Sequence, residues 1–106
     1  MKQEHTPFDN AMFGIYYRAK KEAAYNATLF LNMISSQPGL SVAKQLINAP
    51  KVSVGYAALY EKGRLDLTVE AMVVESLEWR DLFEPEELAR AERRLREYHY
   101  TPKAPS

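Results

Sequence analysis

Cysteine is absent from this chain of 106 residues, which excludes a disulfide framework, a thiolate zinc site and a cysteine nucleophile. That absence suits a reducing compartment. An excess of either charge is lacking too, since 14 Lys and Arg meet 14 Asp and Glu for a formal net charge of zero. No long-range field therefore steers nucleic acid or an anionic membrane toward the protein, although a local patch still could. No apolar run reaches the ~18–20 residues of a membrane span. The opening Met1-Lys2-Gln3-Glu4-His5-Thr6-Pro7 is polar, unlike the apolar centre of a secretory leader. These features predict a soluble cytoplasmic protein, and the glycosylation pattern Asn26-Ala27-Thr28 is read as accidental. Histidine is scarce: His5 and His99 both lie near the termini, where side chains are poorly held. Catalysis needs groups fixed to fractions of an ångström. There is no phosphate-cradling glycine loop, no nucleophile elbow and no His-Glu-x-x-His. No catalytic residue, metal or cofactor is expected.

With 46% hydrophobic and 26% charged residues, the composition is that of a globular protein. The length suits a single domain over 1–106, ordered from about residue 6 to 100, that can bury a core without a staple.

Met12, Tyr16, Ala19, Ala23, Ala27, Phe30 and Ile34 recur at steps of three and four. This stripe predicts a helix from about Asp9 to Ser35, on the order of 40 Å long, as a spine for the fold. Asp9 or Asn10 can cap it, and Pro38-Gly39 stops the chain beyond it. A second helix fits Ser41–Asn48, ending before Pro50. Ser53 suits the N-cap of a third, which Gly63 closes. Leu65–Leu77 alternates like a strand yet also makes a helical face with Asp66 or Thr68 as cap; helix is preferred, because a lone strand leaves its backbone unpaired. Glu84-Pro85-Glu86-Glu87 opens the last helix, and Thr101–Ser106 reads as a fraying tail. The expected architecture is a compact all-α bundle of about five helices.

The block Gly63-Arg64-Leu65-Asp66-Leu67-Thr68-Val69-Glu70 stands out because an arginine and two carboxylates thread an apolar run. Together with His5-Thr6-Pro7-Phe8-Asp9-Asn10 and Tyr25-Asn26-Ala27-Thr28, it resembles a family of small bacterial helical proteins with no established activity. The resemblance covers about Thr6 to Tyr100 and implies a self-contained helical module without transferring a catalytic residue. Tyr60 stands where many of those proteins carry tryptophan, which keeps an aromatic wedge.

Arg64, Asp66 and Glu70 could form a ligand or metal site, with the carboxylates four apart on one helical face. The structural alternative makes Asp66 a helix cap and pairs Arg64 with a carboxylate to pin the loop after Gly63. Asn26, between Ala23 and Phe30, suits a polar group satisfied by a neighbouring loop, with a ligand contact as the alternative. Arg18-Ala19-Lys20-Lys21 and Arg90, Arg93, Arg94 and Arg96 could hold phosphates, with Tyr17 and Tyr25 stacking on bases. Against that, Glu86–Arg90, Glu92–Arg96 and Arg93–Glu97 have salt-bridge spacing and favour a solvated face. The leading expectation is a non-catalytic module that binds another protein. A nucleic-acid-associated accessory protein comes second, and a small ligand binder or enzyme centred on Arg64, Asp66 and Glu70 third. No membrane partner is expected.

Overall fold

Thr6 starts the first helix. Its hydroxyl accepts the Asp9 amide at 3.1 Å, Asp9 Oδ2 accepts the Thr6 amide at 2.8 Å, and Pro7 takes the first helical position. The computed structural model describes residues 6–106, so His5 and everything before it lie outside the described residues. Seven helices follow: α1 (Pro7–Ala23), α2 (Thr28–Ser36), α3 (Gly39–Asn48), α4 (Val54–Glu61), α5 (Val69–Val74), α6 (Leu77–Arg80) and α7 (Pro85–Glu97). A short 3-10 turn, Leu65–Leu67, precedes α5, and no strand occurs among the described residues. The all-α expectation holds, with more and shorter helices than the expected five.

The spine helix does not form as expected. The stripe from Met12 to Ile34 is divided between α1 and α2 by a turn at Ala24–Ala27. Ala24 adopts left-handed geometry (φ 52°, ψ 33°), and the Ala24 and Tyr25 amides both return to the Ala19 carbonyl. A continuous helix of ~40 Å would match the longest dimension of the molecule, 43 Å. Its second half would have run past the core. Folding back lets α1 and α2 pack on each other and places Ile34 in the same cluster as Met12 and Ile15. The apolar period survives across the turn, so periodicity alone could not reveal it.

The second helix begins earlier than expected, at Gly39, whose amide donates to Asp9 Oδ1 at 2.6 Å. A Cβ at Gly39 would lie 2.6 Å from that oxygen and force the Asp9 carboxylate to shift, so the close approach of α1 and α3 favours glycine. Ser53 caps α4 as expected, accepting the Tyr56 amide at 3.1 Å, and Gly63 (φ 69°) turns the chain after it. The six residues of α5 are nearly all buried, and this helix packs chiefly against α7 and also against α3 and α6. Thr101–Ser106, expected to fray, instead lies against the α5–α6 junction. Glu75 Oε2 accepts the Tyr100 hydroxyl at 2.5 Å and the Lys103 amide at 3.0 Å, while the Leu77 amide donates to the Ser106 carbonyl at 3.1 Å.

The main core cluster joins Phe8, Met12, Ile47, Tyr56, Val73 and Leu95 with their neighbours; a smaller one joins Ala19, Leu59 and Leu67.

Candidate functional site

Thr68, not Asp66, caps α5. Its hydroxyl accepts the Ala71 amide at 3.2 Å and donates to the Leu65 carbonyl at 2.7 Å. Asp66 sits two residues earlier, in the 3-10 turn, and faces Arg64 instead. The guanidinium grips it in two places, Nε to Oδ1 at 3.0 Å and Nη2 to Oδ2 at 3.1 Å, and Nη2 also donates to Glu22 Oε1 at 2.7 Å. Hydrogen bonding to Arg64 holds both the Asp66 and Glu22 carboxyls below their ordinary range, with Arg18 adding to the effect at Glu22. This bridge ties the turn after Gly63 to the end of α1, so Arg64 pins that loop as the structural alternative expected.

Glu70 points the other way. It is 3% exposed, and its Oε2 accepts Arg94 Nη1 at 3.3 Å. Burial pushes its carboxyl above the ordinary carboxylate range, against the opposing pull of its own backbone amide and Arg94. Arg94 also donates to two backbone carbonyls, Nη1 to Leu46 at 3.1 Å and Nη2 to Ala49 at 2.5 Å. One guanidinium therefore fastens α5 and the end of α3 to α7. Asp66 and Glu70 do not converge, and the three-residue cluster expected from the sequence separates into a surface bridge and an interior pair. Among the described residues no group of three metal-ligating side chains forms.

Asn26 lies in the α1–α2 turn, exposed, and its Oδ1 accepts the Tyr16 hydroxyl at 2.8 Å. Its amide is thus satisfied by a side chain of the preceding helix α1 rather than by the neighbouring loop expected. Tyr60 is partly exposed and meets Tyr98 edge to face at 5.0 Å; Tyr98 meets Tyr56 in the same manner at 5.1 Å.

Tyr16 and Glu70 come together in the wall of an apolar cavity of about 170 Å³. Ile15, Tyr16 and Ala19 of α1 form one side, Leu29, Phe30 and Met33 of α2 a second, and Val54, Gly55 and Leu59 of α4 a third. Leu67, Thr68, Val69 and Glu70 also line it. Leu29 and Val54 belong to this wall yet are 68% and 76% exposed, so the apolar lining continues onto the outer surface. No known protein-family model, curated protein or solved structure matches this chain.

The sequence reading missed the cavity because its walls come from several separate segments, each of which looks like ordinary core. It also placed Arg94 on a solvated basic face, whereas that side chain is only 10% exposed. A signal was present: Arg94 directly precedes Leu95 of the α7 stripe and lies three residues after Ala91, at the stripe's edge. Of the three expected helical salt bridges, only Glu92–Arg96 forms among the described residues, at 3.1 Å; Arg90 turns to Asn48 Oδ1 instead. No helix among the described residues is long and apolar enough to cross a membrane.

Proposed function

We propose that this chain is a cytoplasmic, non-catalytic module that binds another protein, and that the cavity between α1, α2 and α4 receives an apolar anchor side chain of that partner. The observation that carries this reading is the continuity of the cavity with exposed Leu29 and Val54. A cavity near 150 Å³ accommodates a molecule the size of benzene, so about 170 Å³ suits one leucine or phenylalanine side chain. Leu29 and Val54 then supply contact area beyond the anchor, which a compact free ligand would leave uncovered. Interfaces concentrate their affinity in such anchors and use the surroundings to exclude water. The resemblance to small bacterial helical proteins accords with a self-contained module of this kind.

The nucleic-acid reading has less support. Arg94 is engaged internally, Arg18 is paired with Glu22 at 3.1 Å and Arg96 with Glu92. A reaction centred on Arg64, Asp66 and Glu70 lacks a common site, because the two carboxylates face different partners.

Affinity capture from cell extract tests the proposal, comparing the native chain with Leu29→Asp and Val54→Asp. Both positions are exposed, so the variants should melt within ~0.5 kcal/mol of the native protein while losing the captured partner. Partners retained by both variants would refute the assignment of this face, and partners lost on nuclease treatment would favour the nucleic-acid alternative.

A further inference from the structure

On the opposite side of the Glu70–Arg94 pair lies a second concavity, of about 640 Å³, between the loop 48–52 and the face of α7. Lys51, Arg90, Arg93 and Arg94 line it, with Glu97 as the one carboxylate in its wall. Arg94 is neutralised from behind by Glu70, yet the cleft keeps a surplus of two positive charges on a chain whose formal net charge is zero. That surplus is available. Arg90 donates to Asn48 Oδ1, a neutral acceptor, so its charge is not cancelled. Neither Arg93 nor Lys51 has an ion pair or side-chain hydrogen bond among the described residues; Glu97 lies four residues beyond Arg93 without pairing with it.

The cleft is also held open in a fixed shape. Arg94 clips the Leu46 and Ala49 carbonyls to α7, and Arg90 clips Asn48, so the loop that carries Lys51 cannot drift from the helix that carries Arg93. Tyr98 stands at the same wall, braced edge-on by Tyr56 and Tyr60.

We infer that this cleft binds a small phosphate monoester, with Arg93 and Lys51 as its direct contacts and Tyr98 beside the group the phosphate carries. A monoester has a charge of about −2 above pH ~6, which matches the surplus. The positive region is too confined for a nucleic-acid strand, because the neighbouring Arg96 and the more distant Arg18 are already paired with glutamates. This inference uses residues separate from the apolar cavity, so it can fail without affecting the protein-binding proposal.

Phenyl phosphate and inorganic phosphate serve as probes of the full chain, followed by amide chemical shifts and calorimetry at low salt. Saturable binding with Kd of about 1 mM or tighter is expected at pH 8, with shifts confined to residues 48–52 and 90–98. Phenyl phosphate should bind more tightly than inorganic phosphate if the carried group meets Tyr98. Affinity should drop at pH 5, where the dianion is protonated. Arg93→Glu and Lys51→Glu should each weaken binding at least ~10-fold, and both should fold, since neither side chain is bonded. Arg96→Glu, outside the cleft, should leave it unchanged. Absence of shifts at about 10 mM probe, or equal weakening by Arg96→Glu, would overturn the inference. An oligonucleotide that binds far more tightly than phenyl phosphate, with a salt slope of several ions, would overturn it in favour of nucleic acid.

Discussion

Replacing Arg94 by alanine should be among the most damaging single changes to this protein, and the damage should depend on pH. The substitution removes the counter-charge from a carboxylate that is 3% exposed, together with the bonds to the Leu46 and Ala49 carbonyls. Breaking one side of a buried pair costs roughly 3–5 kcal/mol, against a total stability of about 5–15 kcal/mol for a domain. Proton uptake limits the loss. The Glu70 carboxyl already lies above its ordinary value of 4.5 because of burial, and without Arg94 it must rise further. A raised carboxyl favours the folded state fully below the unfolded pKa and loses that contribution as pH rises through the folded value. Stability of Arg94→Ala should therefore recover as pH falls from 8 toward 5, by about 1.4 kcal/mol per unit at most. Glu70→Gln removes the buried charge while keeping an acceptor for Arg94, and should cost about 1–2 kcal/mol. The double variant should then be more stable than Arg94→Ala alone at pH 8. Urea unfolding followed by circular dichroism at pH 5, 7 and 8 measures all of this. A loss below ~1 kcal/mol for Arg94→Ala, flat with pH, would refute the account of Glu70 as a buried group sustained by Arg94.

Asp66→Asn and Asp66→Ala should cost about the same, roughly 0.5–1 kcal/mol, because both lose the pair with Arg64 and neither loses a cap; a native-like Asn variant beside a weakened Ala variant would restore Asp66 as the cap. Thr68→Ala, by contrast, should cost roughly 1–2 kcal/mol in thermal unfolding. Ala24→Gly should raise stability by about 0.5–1 kcal/mol, since left-handed geometry is unfavourable for alanine and open to glycine; a lower melting temperature would refute this. Burial pushes the Glu87 carboxyl upward, but bonds from Lys44 at 2.8 Å, Asn48 at 2.7 Å and the Glu84 amide outweigh it and bring it down to about 2. Its stabilisation is present above an unfolded value of 4.5 and lost as pH falls toward about 2, so Glu87→Gln should remove about 1–2 kcal/mol of acid-side pH dependence after solvent screening.

Local chemistry was legible in the sequence wherever a short-range rule decides the outcome. Ser53, Gly63 and Glu84-Pro85 mark helix boundaries because caps and turns depend on a few adjacent residues. The turn at Ala24 was not legible, since alanine is a strong helix former and nothing beside it signals a stop. What overrides the propensity is tertiary: the Tyr16–Asn26 bond and the burial of Ile34 are available only to the folded-back chain. At the candidate site, the acid at position 70 was expected to share a face with Asp66, whereas it is buried away from it. Its partner came from 24 residues further on, a distance at which no spacing rule operates. The apolar cavity, assembled from α1, α2, α3, α4 and the turn leading into the start of α5, has no sequence signature at all.

Among the helices around that cavity, α2 has the fewest fully buried residues. Ile34 is its one fully buried residue, its N-cap Ala27 supplies no side-chain bond, and the turn leading into it includes the left-handed Ala24. Native-state openings start in segments with few buried contacts, so α2 should swing away at a small free-energy cost while α5 and α7 stay in place. Amide hydrogens of α2 would then exchange with solvent well before those of α5. If α2 opens in this way, a group entering the cavity need not squeeze past Leu29. Association would be gated by helix motion rather than by diffusion alone, and the occupant, by tethering α2 to the core, would slow its own departure.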